Sequence, residues 1–454
     1  MNLQINNLSL FRPVEEDEIF HRMLKLIKLS RNIGSSLNML REFTGEYARL
    51  FALLAESAEL STEPVVGSPW QNHLLNLILD SENTFSRKAE AAPPEAMGPT
   101  LKLAAAKDLR CLQELYQIDA QKLLQSYADK TSPMVKEDSN LACEELLSWS
   151  EGLQPLPSGQ LTALQVRRHE MKKALALAED WGEAADRLAA FFRFTGSGIF
   201  GRYPAFRWVV GPAGGRLIGI LQPDAVRLGD LIGCEDQKQV VTENTARFIR
   251  SLPANNVLLY GDRGTGKSST VKALLREYTA DGLRIVEVAR QDLGSLPDLI
   301  SILQPRTQKF IIFIDDLSFD DHEGEYRHLK AVLEGSLAAR PANVLLYATS
   351  NRRHLIREFF SDRPEPSDEI RSQDTVQEKL SLADRFGLTV TYTTPDQDSY
   401  LAIVEAMVRQ RGLAVAPGEL REMAVRWELR YNGRSGRTAR QFVDWLEGSC
   451  YNNG

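Results

Sequence analysis

The chain has 454 residues, more than one ordinary hydrophobic core can organise, so two or three domains are expected. Hydrophobic residues at 43% and charged residues at 25% exclude a disordered or fibrous chain. The net charge of -7 removes any global electrostatic pull toward nucleic acid or an anionic membrane, although it leaves room for a local basic patch.

The first twenty residues, MNLQINNLSLFRPVEEDEIF, lack a basic stretch followed by an apolar one, and no run of about 18 apolar residues occurs anywhere. A cytoplasmic protein without a membrane span is expected. Cys111, Cys143, Cys234 and Cys450 lie far apart, with no pair at metal-ligand or redox spacing, and read as reduced, buried thiols.

Residues 1–200 carry mostly helical periodicity and are predicted to form a helical N-terminal domain. Helices are predicted over about 16–29 and 36–60. A later helix carries Met171, Leu175, Ala178, Trp181, Ala184, Leu188 and Phe191 on one stripe. Pro- and Gly-bearing stretches near 62–70, 91–99 and 153–159 break this region into hairpins. A junction, 201–224, follows, with Phe206 to Val210 and Arg216 to Leu221 as a β-hairpin.

From 225 to 394 strand-like and helical runs alternate. The strands are NVLLY at 256–260, RIVEV at 284–288, FIIFI at 310–314, VLLYA at 344–348 and LTVTY at 388–392. Near-continuous apolar strands joined by helices predict a five-stranded parallel sheet covered on both faces. The charged stretch 361–378 reads as a surface loop. Residues 395–454 return to helix, with Leu401, Val404, Met407 and Val408 on one face and Phe442, Val443 and Leu446 on another, predicting a small all-helical lid.

The strongest chemical signal is Gly261-Asp262-Arg263-Gly264-Thr265-Gly266-Lys267-Ser268, directly after a strand and before a helical run that starts at Ser269. Glycines let the backbone curl so that successive N–H groups point at phosphate oxygens, and the helix N-terminus adds its positive dipole end. Lys267 is then expected on the β- and γ-phosphates of ATP, and the Ser268 hydroxyl on Mg2+. About fifty residues on, FIIFI ends in Asp315 and Asp316. Asp315 is suited to the magnesium water shell and Asp316 to polarising the attacking water, while a solvated acidic turn is the plainer alternative.

These spacings resemble the AAA+ ATPases. The resemblance implies that Asn351, in LLYATSNRRHL, is the polar sensor that orients the water. ADRFG at 383–387 resembles the arginine-finger region, notably that of the Holliday-junction branch-migration motor, and implies that Arg385 is offered to the ATP of a neighbouring subunit. GRSGRTAR at 433–440 resembles the second sensor, with Arg437 the choice over Arg434 and Arg440; a solvated basic helix start is the alternative. LGDLIGC at 228–234 resembles the linker packed on the adenine, with Ile232 and Gly233 beside the base. The wording GDRGTGKSS, FIDDLSF, ATSNRRHL, SLADRFGL and GRSGRTARQF is similar to an uncharacterised family of bacterial AAA+ ATP-binding proteins, and the resemblance covers about residues 225–447.

Two departures matter. Most AAA+ motors have Glu where this chain has Asp316, and retracting that carboxylate by one methylene slows hydrolysis more than binding. No aromatic-glycine pore loop appears in ARQDLGSLPDLISIL, which disfavours a polypeptide-threading unfoldase. The leading expectation is a magnesium-dependent ATPase, a homo-oligomer such as a ring or hexamer, that remodels an unknown protein client. A slow-hydrolysing switch or scaffold recruiting a partner through residues 1–200 is the alternative. A DNA-associated loader or motor is a third reading, opposed by the acidic charge.

Overall fold

The computed structural model describes residues 8–31, 37–61, 63–131, 148–149, 161–212, 214–317, 329, 333, 341–351, 385–431 and 433–451. The segments 153–159 and 361–378 singled out above, and residues 352–355 and 383–384 of the quoted motifs, therefore lie outside the described residues. The chain divides into two compact units, Met1–Arg202 and Tyr203–Gly454.

The first unit is helical: α1 (Glu18–Arg31), α2 (Leu37–Glu59), α3 (Pro69–Asp80), α4 (Thr84–Ala91), α5 (Pro99–Tyr116), α6 (Ala120–Thr131), α7 (Ala163–Ala176), α8 (Ala185–Thr195) and α9 (Ile199–Arg202). Local chemistry sets several starts. Ser68, Asn83 and Thr162 each accept a backbone N–H three residues on and receive a reciprocal bond from that residue's side chain, giving α3, α4 and α7 capping boxes. Their apolar faces meet in one core that includes Phe20, Trp70, Leu109, Trp181 and Phe192. Asp108, fully buried on α5, accepts hydrogen bonds from the N–H groups of Ser9 (2.9 Å), Leu10 (2.6 Å) and Phe11 (3.1 Å), which pins the chain ahead of α1.

The stripe from Met171 to Phe191 is not one helix. It is split between α7 and α8, with a turn between Ala176 and Ala185. One local and several long-range bonds hold that turn: Trp181 Nε1 donates to Leu175 O at 2.8 Å, and Gln113 bonds Ala178 O, Glu179 O and Trp181 N from some 65 residues away. Every residue of the stripe still packs in or against the core.

The second unit contains β1 (Ala205–Gly211), β2 (Gly214–Ile220), α10 (Glu235–Ile249), β3 (Asn256–Gly261), α11 (Lys267–Tyr278), β4 (Leu283–Val288), α12 (Leu296–Leu303), β5 (Lys309–Ile314), β6 (Val344–Asn351), β7 (Gly387–Tyr392), α13 (Gln397–Gln410), α14 (Pro417–Arg430) and α15 (Gly436–Tyr451). Its sheet has seven strands among the described residues, in the order β2-β1-β4-β5-β6-β3-β7. The expectation of five strands is corrected here. The five parallel strands are present, but the junction hairpin extends the sheet, because β1 pairs parallel with β4 through Ala205–Trp208 and antiparallel with β2. Trp208 anchors that extension: it is buried, stacks against the Cα of Gly215 where no side chain fits, and donates its Nε1 to Ser295 Oγ at 2.7 Å.

β3, β4, β5 and β6 are buried along nearly their whole length, as strands covered on both faces must be. In the lid, Tyr400, Leu401, Val404 and Met407 of α13, Leu420 and Ala424 of α14, and Phe442, Val443 and Leu446 of α15 form a separate small core. No helix among the described residues is long and apolar enough to cross a membrane.

Candidate functional site

The strand order brings the chemistry together. β6 lies between β5 and β3, and all three run parallel, so the loop after β3, the acids after β5 and the end of β6 emerge side by side at the C-terminal ends of the strands. They line a cleft of about 620 Å³, within the usual size of a small-molecule site. Its far wall is the lid, through Met407, Gly436, Arg437 and Arg440, and its remaining edge is Asp230, Leu231, Ile232 and Cys234.

The glycine-rich loop is held by its own lysine. Lys267 Nζ, almost wholly buried, donates to Gly261 O (2.9 Å) and Asp262 O (2.7 Å), and reaches Asn351 Oδ1 at 3.4 Å. Burial pushes its ammonium below the ordinary lysine value, and the carboxylates of Asp262, Asp316 and Asp315 oppose that shift. The Asp262 carboxylate is tied down in turn, accepting from Thr394 N (2.9 Å) and Thr394 Oγ1 (2.7 Å) just ahead of the lid. Gly264 has φ +77°, a left-handed backbone that favours glycine, and its carbonyl accepts the Arg437 N–H of α15 at 3.2 Å. The lid helix thus begins directly on the loop.

Opposite the loop, Ser268 Oγ donates to Asp315 Oδ1 at 2.6 Å, and Thr349 Oγ1 donates to the same oxygen at 2.6 Å. Asp316 adopts φ +54°, which Asp tolerates better than most residues, and its carboxylate accepts a hydrogen bond from Asn351 Nδ2. Ser268 and Asp315 supply hard oxygen donors of the kind magnesium selects. No cluster of three or more His, Cys, Asp or Glu suited to a metal exists among the described residues.

Of the residues named from sequence, Arg263, Gly264, Thr265, Gly266, Lys267, Ser268, Ser269, Asp315, Asp316, Asn351, Arg437 and Ile232 line the cleft. Gly261 and Asp262 stand behind it, as the carbonyls that hold Lys267. Gly233 does not line it; its Cα faces Ile403 of the lid. Arg385 is also outside. It precedes β7, which runs parallel to β3, so a strand of six residues, about 20 Å, separates it from the loop of its own chain.

Three arginines competed for the lid position. Arg434 is committed elsewhere, paired with the mostly buried Glu428 at 2.5 Å, whereas both Arg437 and Arg440 reach the cleft. Asp230, Cys234, Thr349 and Met407 line the cleft without a site role assigned from sequence, and Arg440, set aside there in favour of Arg437, lines it too. Thr349 alone carried a readable signal: two residues before Asn351 on one strand, it must share a face with it. Cys234 is a buried thiol with its pKa pushed up to about 11 by desolvation, so it is packing rather than reactive.

A phosphate-binding loop, strand-end acids and a helical lid closing one cleft at the C-terminal edge of a mostly parallel sheet define a nucleotide-binding P-loop protein of the AAA+ class. The chain belongs to the family described as protein of unknown function DUF815, whose model matches residues 201–450, more than half of the sequence. Among curated proteins it is similar to a 26S proteasome regulatory subunit 6B homolog of Schizosaccharomyces pombe, 29% identical over 245 residues, 45% of this chain and 63% of the relative. It is also similar to the homolog so named in Dictyostelium discoideum, 26% identical, covering 43% of this chain and 58% of the relative. The chain therefore spans less than two thirds of these relatives. Among solved structures, two mutants of Thermotoga maritima RuvB align over 47% of this chain and 62% of theirs, with TM-scores of 0.31 and 0.32 at 15% and 16% identity.

Proposed function

We propose that the chain is a magnesium-dependent ATPase that uses ATP binding and hydrolysis to change how its lid and a neighbouring copy engage a protein client. The carrying observation is the meeting of Lys267, Asp315, Asn351 and the α15 N-terminus around one cleft. Magnesium held at Ser268 and Asp315 would neutralise phosphate charge. The loop N–H groups and Lys267 bind the phosphates, Asp316 accepts a proton from the attacking water, Asn351 orients that water, and Arg437 joins the lid to the phosphates. Ile232 and Met407 supply apolar surface for the base.

Arg385, too far from its own loop, is assigned to the cleft of a second copy. The names of the two curated relatives, each a regulatory subunit of a larger assembly, support an oligomer. A slow, switch-like turnover is favoured by one observation: Asp316 is short and its carboxylate is already engaged by Asn351. Steady-state hydrolysis and light scattering test the proposal. Lys267→Ala and Arg385→Ala are each expected to abolish turnover, and mixing Arg385→Ala with Lys267→Ala is expected to restore part of it, because one copy supplies the finger and the other the loop. A wild-type monomer that binds ATP without turnover refutes the motor and leaves the switch.

A further inference from the structure

Thr349 sits on β6, buried, at the floor of the cleft between the two acids. Its hydroxyl has one proton and makes two short contacts. The Asp316 N–H, which can only donate, points at Thr349 Oγ1 at 2.9 Å. The hydroxyl must therefore accept from that amide and spend its own proton on Asp315 Oδ1 at 2.6 Å. The direction of both bonds is fixed by chemistry alone.

Two consequences follow. Ser268 and Thr349 both donate to Oδ1 of Asp315, so that oxygen is held from helix α11 on one side and strand β6 on the other, and Oδ2 has no hydrogen-bond partner among the described residues. The second concerns the chain beyond β5. Leu317 N continues the ladder to Thr349 O at 2.7 Å, but Asp316, with φ +54°, turns its N–H out of that ladder and gives it to the hydroxyl instead. A side chain without an oxygen there leaves a half-buried amide and a carboxylate oxygen both short of a partner.

We infer that Thr349 is the positioning residue for the metal and water chemistry of this site, aiming Asp315 at the cation and holding Asp316 in its left-handed turn. It is not a catalytic residue, since it acts through the two acids. The inference rests on the ATPase reading above, and the test separates the two.

Binding of a fluorescent ATP analogue to the full chain is measured in EDTA and during a magnesium titration, for wild type, Thr349→Val, Thr349→Ser and Lys267→Ala, with thermal melting of each. Valine keeps the shape and removes the hydroxyl. Thr349→Val is expected to bind the analogue in EDTA within about twofold of wild type, while the magnesium needed for half-maximal effect rises about tenfold or more, the loss expected for a hydrogen bond to a charged group. Thr349→Ser is expected to restore the magnesium response. A Thr349→Val that titrates magnesium as wild type does, or that loses binding equally in EDTA, overturns the inference while leaving the ATPase reading intact, provided Lys267→Ala has lost the analogue. If Lys267→Ala binds as wild type does, both fall together.

Discussion

Substituting Gly264 by alanine perturbs the point where the lid rests on the phosphate loop. A Cβ built there lies 2.8 Å from Ser435 Oγ and 3.3 Å from Arg437 Cβ. Ser435 cannot simply rotate away, because its hydroxyl caps α15, accepting from Thr438 N at 3.1 Å and contacting Thr438 Oγ1 at 2.9 Å. Losing that cap costs about 1 kcal/mol. Arg437 Cβ moves only with its backbone, which breaks the bond from Arg437 N to Gly264 O and costs about 1 kcal/mol more. Closure of the lid is therefore weakened by roughly 2 kcal/mol, about thirtyfold in nucleotide affinity. A separate cost of about 1–2 kcal/mol comes from holding alanine at φ +77° and acts on stability. Gly282→Ala isolates that second term, since Gly282 has φ +92° with nothing within 4 Å of its added Cβ. Titration of a fluorescent ATP analogue, with thermal melting, is expected to show a lowered melting temperature in both variants and weakened binding only in Gly264→Ala. Equal affinity in the two variants refutes the argument that the lid closes through Gly264.

Arg434→Ala and Arg437→Ala should separate cleanly. The first strips a mostly buried Glu428 of its ion pair and is expected to destabilise the protein by about 1–3 kcal/mol with nucleotide affinity unchanged; the second, exposed on the cleft, is expected to weaken binding about tenfold with little change in melting. Lys172, buried on α7, has its pKa pushed down to about 8 by desolvation, so below that pH the fold bears the cost of a buried charge that the unfolded chain does not. Because the unfolded state binds more protons between about pH 8 and the ordinary lysine value, stability gains from this group as pH rises through that window. The stability gap between wild type and Lys172→Met, followed by urea unfolding, is expected to shift by up to roughly 3 kcal/mol in favour of wild type from pH 7 to pH 10; a pH-independent gap overturns it. Asp108→Asn removes the charge that three backbone N–H groups share and is expected to cost about 3 kcal/mol, read as early proteolysis near residues 8–11.

Much of this protein was legible as sequence because its decisive features are local. The loop Gly261–Ser268 is contiguous, so its glycines and lysine declare a phosphate cradle without any partner. The runs at 256–260, 310–314 and 344–348 are apolar nearly throughout, as a covered parallel strand requires, the runs at 284–288 and 388–392 interleave polar residues, and each became one of β3 to β7, with 388–392 at the exposed edge. The lid face through Leu401, Val404 and Met407 was legible for the same reason, its helical period.

What escaped depended on pairs far apart in the chain. The break between α7 and α8 was hidden because Gln113, some 65 residues upstream, holds the turn through Ala178, Glu179 and Trp181. Seven strands rather than five follow from the pairing of Ala205–Trp208 with Ile285–Val288, some eighty residues away. Among Arg434, Arg437 and Arg440, only the first is removed from the cleft, because Glu428 claims it, while the other two both line the cleft. Thr349 reads as an ordinary strand residue until β5 and β6 align and carry its hydroxyl between Asp315 and Asp316. The sequence by itself determined the backbone chemistry of the loop and the periodicities, since both are written in neighbouring residues. Only the tertiary structure decided which polar groups satisfy one another, because a hydrogen bond is selected by distance in space and carries no trace in sequence separation.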